Sequence, residues 1–318
     1  MKKALKITKY VLLGILAAFL LFLFVVFAYN GIMVLREKDL LENQQISQTV
    51  EVDGHHMSVY VSGKGPHTLV FLAGSGDSSP VLGFKPFAER FENECRIAIV
   101  EKFGYGFSDE YEGSRDVETR VRQNREALKA AGAEGPYILC PHSYSGLEAV
   151  YWAQNYPEEV EAIIGLDMAV PASYESYDEK TISQVHSTIK LKRILRKLGI
   201  IRLLAGGSDQ DGVTEEEKKA ELALAGGRFC NKTFERESDF LLDDVKLING
   251  GKTADLPTLL IISDGKVTEG WIDMELEYAS KLTDATTLQL DCGHTVYEYE
   301  ADKCEEAIKS FIEGIQGR

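Results

Sequence analysis

No two cysteines in this chain stand close enough to form a C-x-x-C pair. The five present, Cys95, Cys140, Cys230, Cys292 and Cys304, are odd in number and far apart, which argues against a zinc site and against a disulfide framework. Two adjacent histidines, His55 and His56, sit in an alternating stretch. In a strand they point to opposite faces and cannot chelate one metal together. Internal repeats and low-complexity tracts are missing too. Positive charge is scarce beyond the first nine residues: the formal net charge is −15, and MKKALKITK holds four lysines and no acid, so the remainder carries −19. A body this acidic argues against nucleic acid as a partner, because binding it needs phosphate-neutralising Lys and Arg. Neither a cofactor nor a metal is expected.

One long apolar run is present, from Tyr10 to Ala28, with no second after it. As a helix its nearly 20 residues match the roughly 30 Å hydrocarbon core of a bilayer. The lysines before it predict a cytoplasmic tail over 1–9, an anchor over 10–29 and a body on the outer side of the cell membrane. The rival reading is a signal peptide cleaved after Val26-Phe27-Ala28, although signal h-regions usually hold only about 7–15 residues. Polar residues over 30–48 predict a short stalk, and the remaining 270 or so suit one α/β domain with an insertion.

The stretch YILCPHSYSGLEAV, residues 137–150, passes from a short apolar run into a helical pattern with Ser143 at the junction. That is the setting of a nucleophile elbow, a sharp strand-to-helix turn that exposes a serine hydroxyl. The usual G-x-S-x-G is altered. Pro141 and Ser145 replace the glycines, Ser145 keeps the small volume, and Gly146 follows.

Around the elbow the chain reads as strands alternating with helices. Residues 49–61 alternate about Asp53-Gly54, the pattern of an edge hairpin. Thr68 to Leu72, Arg96 to Val100, Ala162 to Leu166, Pro257 to Ile262 and Thr286 to Leu290 read as further strands. Helices are expected over Asp116 to Ala131, from the elbow to Tyr156 and over Asp302 to Ile315. This spacing predicts a doubly wound, mostly parallel sheet. AGSGDSSP after the second of these elements is a glycine-rich turn able to aim backbone N–H groups at a developing oxyanion. Gly74 and Ser75 are its candidates, with the N–H of Tyr144 as their partner. Residues 171–250 break the rhythm with helical patterns. Among them, Lys190 to Leu204 is a basic amphipathic helix, either packing its apolar side on the domain or touching an anionic membrane surface. Gly293-His294 follows the last strand, where a Ser…Asp…His order needs its base.

At this point the chain resembles the α/β-hydrolase family of serine hydrolases over residues 49–316. LVFLAGSG, EKFGYGFSD, LCPHSYSG, VEAIIGLDMAVP and LDCGH carry the likeness. It is similar to membrane-anchored hydrolases of Gram-positive bacteria. The resemblance implies a core over 49–170 and 251–318 with a helical cap over 171–250. It also implies Ser143 as nucleophile and His294 as general base. Two aspartates compete for the acid. Asp264 follows the 257–262 strand, with Lys266 where many members place the acid; Asp167 ends the preceding strand, where others carry it. Asp167 is preferred. The implied reaction is cleavage of an ester or amide in a small substrate through an acyl-enzyme, of the esterase, lipase or aminopeptidase kind. The alternative is an inactive binding or receptor module on the same scaffold, since the elbow is altered and the usual His-Gly of the oxyanion loop reads Ala73-Gly74.

Overall fold

The computed structural model describes residues 2–206 and 213–316. Its first element is a single helix, α1 (Lys2–Glu42). This is the one helix among the described residues long and apolar enough to cross a membrane. Residues 30–42, expected as part of a polar stalk, are its last turns. Their polarity has a local cause: Asn30 and Glu37 are hydrogen-bonded to Arg202 of the body.

Eight strands follow: β1 (Gln48–Val52), β2 (His55–Gly63), β3 (Thr68–Leu72), β4 (Arg96–Glu101), β5 (Tyr137–Ser143), β6 (Val160–Met168), β7 (Thr258–Ile262) and β8 (Ala285–Gln289). They form one sheet in the order β1-β2-β4-β3-β5-β6-β7-β8. β2 runs antiparallel to β1 and β4, and every other pairing is parallel. Asp53 and Gly54 both adopt positive φ in the first hairpin, as a tight two-residue turn requires. β3 and β7 are buried along their whole length, as continuous apolar runs in a sheet covered on both faces must be.

The helices complete the two layers. On one face α3 (Val117–Ala130), α4 (Gly146–Asn155) and α10 (Trp271–Ser280) pack with Val70, Val100 and Leu139. On the other, α2 (Pro80–Ala88), α11 (Val296–Tyr299) and α12 (Ala301–Gln316) pack with Phe71, Ile99 and Ile164. α3 is poor in apolar residues for a packed helix. Its inward side buries Arg120, Gln123 and Asn124 beside Val121 and Leu128, so part of the buried face is polar and the hydrophobic period is blurred.

Between β6 and β7 the chain leaves the sheet, and the described residues there form five α-helices: α5 (Glu179–Lys197), α6 (Ile200–Leu204), α7 (Glu215–Gly227), α8 (Lys232–Glu237) and α9 (Leu241–Asn249). The basic helix expected over 190–204 is thus two helices, broken at Gly199, whose φ of 82° is left-handed.

The order of strands fixes where a site can form. From β3 the chain steps outward to β4, then returns to β3's other side as β5. Such a reversal opens a crevice at the carboxyl ends of the strands. Gly74 and Ser143 lie there.

Candidate active site

Ser143 closes β5 with φ of 53°, a left-handed conformation unfavourable for a side chain with a Cβ. The turn has no room for bulk. A Cβ on Gly146 would lie 2.0 Å from the Ala169 carbonyl oxygen, and one on Gly74 would lie 2.7 Å from the Ser143 Cβ. Gly146 therefore takes the close approach that the motif's own glycine usually takes. Ser145 fits because its hydroxyl turns back into the protein, donating toward the carbonyls of Leu72 at 2.6 Å and His142 at 2.9 Å. Both are hydrogen bonds that an elbow glycine lacks.

Asp167 sits near the end of β6, fully buried, also in a left-handed conformation at φ of 50°. Its carboxylate is well supplied. Oδ1 accepts from the Ser263 N–H at 2.7 Å and from the Trp271 indole N–H at 3.0 Å. Oδ2 is 2.5 Å from His294 Nδ1. Burial alone would raise the carboxyl's pKa, but the bonds from His294, Ser263 and Trp271 outweigh it and hold the group below the usual carboxylate range. The other aspartate, Asp264, is bonded to the Lys266 ammonium at 2.6 Å and to the Lys266 N–H at 3.1 Å. Of the two, it is Asp167 that reaches the histidine.

The His294 side chain is about a third exposed (30%) and lines a cavity of about 300 Å³. Ser143, Gly74 and Ser75 line the same cavity. The Tyr144 side chain does not: it turns inward, its ring 5.7 Å from the Lys102 ammonium and 5.2 Å from the Arg120 guanidinium. Only its backbone can serve the elbow. Of the candidates, Ser143, His294, Gly74 and Ser75 are therefore gathered at one cavity; Asp167 lies behind His294, and Tyr144 and Asp264 are not on its walls.

Three further groups belong to the surroundings. His142 packs against His294, ring centroids 4.5 Å apart, and donates from Nε2 to the His294 carbonyl oxygen at 3.3 Å. Burial first, then the neighbouring His294, lowers its pKa to about 3, so it stays neutral and acts as packing. Asp77 lines the cavity and accepts from the Ser79 N–H at 2.9 Å; burial raises its carboxyl to about 6. Glu275 is the third. It lies one helical turn after Trp271 and is fully buried, with neither oxygen in a hydrogen bond of good geometry. Burial first, then the charge of Asp167, pushes its carboxyl up to about 10. It is a neutral acid at pH 7 and adds no second charge behind Asp167. Nothing in WIDMELEYA sets Glu275 apart from an exposed helical glutamate except the i, i+4 spacing from Trp271.

No family model matches the chain. It is 32% identical over 334 residues to an uncharacterized protein, YbdG, of Bacillus subtilis (strain 168), covering 99% of this chain and 100% of that one. Its fold is similar to the crystal structure of an E-2-(acetamidomethylene)succinate hydrolase, with a TM-score of 0.61 at 18% identity over 84% of this chain and 99% of that one. It is also similar to that of a membrane phospholipase A, with a TM-score of 0.58 at 16% identity over 98% of this chain and 100% of that one. A mostly parallel sheet in this strand order, with likenesses that run through most of the chain, shows the fold: this protein is related to YbdG and has the α/β-hydrolase fold.

Proposed function

We propose that this chain is a serine hydrolase that cleaves an acyl ester, or the corresponding amide, through an acyl-enzyme. The observation that carries the reading is the 2.5 Å Asp167–His294 contact ending at the cavity that Ser143 lines. In this reading Asp167 fixes the proton on Nδ1 and leaves Nε2 as the base. Ser143 Oγ attacks the substrate carbonyl carbon as its proton passes to His294. The N–H groups of Ser75 and Tyr144 hold the oxyanion, and His294 returns the proton to the leaving group. Water then attacks the acyl-enzyme with His294 again as base.

The altered elbow gives little support to an inert binding module. Ser145 is bonded into the turn and Gly146 provides the missing space. A second cavity, of about 370 Å³, shares Ser75 and Gly76 with the first and carries Val185, Ile189, Phe229 and Phe234 on its walls. Those side chains suit the acyl part of a substrate. α1 is read as a membrane anchor, with the four lysines before its apolar run keeping the body on the outer side. The activity is tested by turnover of short p-nitrophenyl esters, which His294→Ala should abolish. Equal turnover by both proteins would remove His294, and this mechanism with it.

A further inference from the structure

α5 buries Ile189, as a helix packed on a body should, but its C-terminal half carries a reversed patch. It buries Arg196 (8% exposed), whose guanidinium donates to the Gly227 carbonyl, and it directs Arg193 to Glu235. Meanwhile Leu191 and Ile194 are more than half exposed, and on α6 so are Leu203 and Leu204, the latter at 77%. Burying an arginine while showing leucines to water reverses the usual partition. Lys190, Lys192 and Lys197 surround the exposed residues on α5 and are exposed as well. Apolar side chains ringed by lysines, in a chain of net charge −15, are the pattern of a surface resting on lipid head groups.

The position of this face relative to α1 is fixed by contacts. At Gly199, between α5 and α6, a Cβ would lie 2.8 Å from the Val26 carbonyl oxygen and 2.8 Å from the Asn30 Cβ. Asn30 donates to the Arg196 carbonyl at 3.2 Å, and Arg202 donates to Asn30 at 2.9 Å and twice to Glu37 at 2.7 Å. The turn therefore touches α1 at Val26, two residues before the apolar run ends at Ala28 and so about 3 Å along the axis from that end. Earlier in α1, Leu12, Phe19 and Phe24 are all more than half exposed. The body begins at the level where the apolar run stops.

We propose that the outward face of α5 and α6 rests in the interface of the bilayer that holds α1, so that the cap, not the sheet, faces the membrane. This rests on the reading of α1 as an anchor. The apolar run of α1 sets the depth, and the lysines meet anionic head groups.

The test uses the full chain in vesicles of brominated phosphatidylcholine and phosphatidylglycerol. The only native tryptophans, Trp152 and Trp271, are buried and supply a constant background. Ile194→Trp and Leu203→Trp should each lose emission relative to non-brominated vesicles. Leu276→Trp, on α10 over β7 and β8 at the far side of the sheet from β1, should not. Phe19→Trp reports the anchor itself. If Phe19→Trp is quenched and Ile194→Trp and Leu203→Trp are not, the inference falls while the anchor stands. If Phe19→Trp is also unquenched, the anchor reading fails and takes the inference with it. Unquenched cap tryptophans whose blue-shifted emission reverts on dilution into excess vesicles would assign the face to a second copy, and overturn the inference too.

Discussion

Two clusters of buried charge flank the elbow, and they differ in one respect: whether they have an open end. On one side Asp167 is sealed, while its partner His294 emerges at a cavity. On the other, Lys102 and Arg120 share Glu148 at 2.8 and 3.0 Å, and Arg120 also reaches Asp244 at 3.2 Å. Arg115 pairs with Glu237 at 2.8 Å, and the Tyr105 hydroxyl donates to the same Glu237 at 2.7 Å. All six of these charged groups are buried, so this network is closed. Asp244 and Glu237 come from α9 and α8, whereas Lys102, Arg115, Arg120 and Glu148 come from the sheet side. The closed network therefore ties cap to core, while the open pair ends at a cavity. Buried ion pairs are poor evidence of net stability, yet breaking one leaves an uncompensated charge. The two clusters should fail in different ways when a charge is removed.

The largest expected effect belongs to the open cluster. Asp167→Asn should lower kcat by about 10³–10⁴-fold, because Asn can hold the wrong tautomer of His294; steady-state ester kinetics measure it. Next comes Glu148→Gln in the closed cluster, which strands Lys102 and Arg120. It should cost about 3–5 kcal/mol of stability, read from the urea midpoint, with a smaller change in kcat than Asp167→Asn gives. An equal loss of kcat in both variants would erase the distinction between the clusters.

Glu275 sharpens the comparison, since it is a buried acid that avoids charge altogether. Its folded pKa of about 10 lies above the unfolded value near 4.3. Between those values the folded chain holds a proton that the unfolded chain has released. Wild-type stability is therefore lost as pH rises through the window, by about 1.4 kcal/mol per unit from this group. Glu275→Gln should remove that slope, so its stability relative to wild type grows from pH 5 to pH 8. A difference independent of pH would mean that Glu275 is ionised in the fold. The smallest effect is expected at Asp264, whose partner is Lys266. Asp264→Asn should leave kcat unchanged and shift stability by no more than about 0.5 kcal/mol.

The sheet was legible because its strands are local apolar runs, and the elbow because its steric needs fall within a few adjacent residues. Even the loss of the usual glycines was readable as small-for-small, although one of the two bonds that hold Ser145 goes to Leu72, far away in sequence. The cap was less legible. The pattern of α5 shows leucines and arginines but not which of them face inward, and the structure buries an arginine. The break at Gly199 reflects the close approach of α1, a contact that no local periodicity encodes. The apolar pattern of α3 is diluted because its inward residues include Arg120, Gln123 and Asn124. Asp167 and Asp264 each stand at the carboxyl end of a strand, so only the bond to His294 separates them. Glu275 gave no sign, because burial of a carboxyl depends on what packs around the helix and not on the helix itself.

The central claim is that Ser143 is the nucleophile of the open cluster, and covalent labelling tests it most directly. A fluorophosphonate should give a single adduct on the intact chain, mapped by peptide mass to Ser143, and none on Ser143→Ala. An adduct of equal yield on Ser143→Ala would contradict the account.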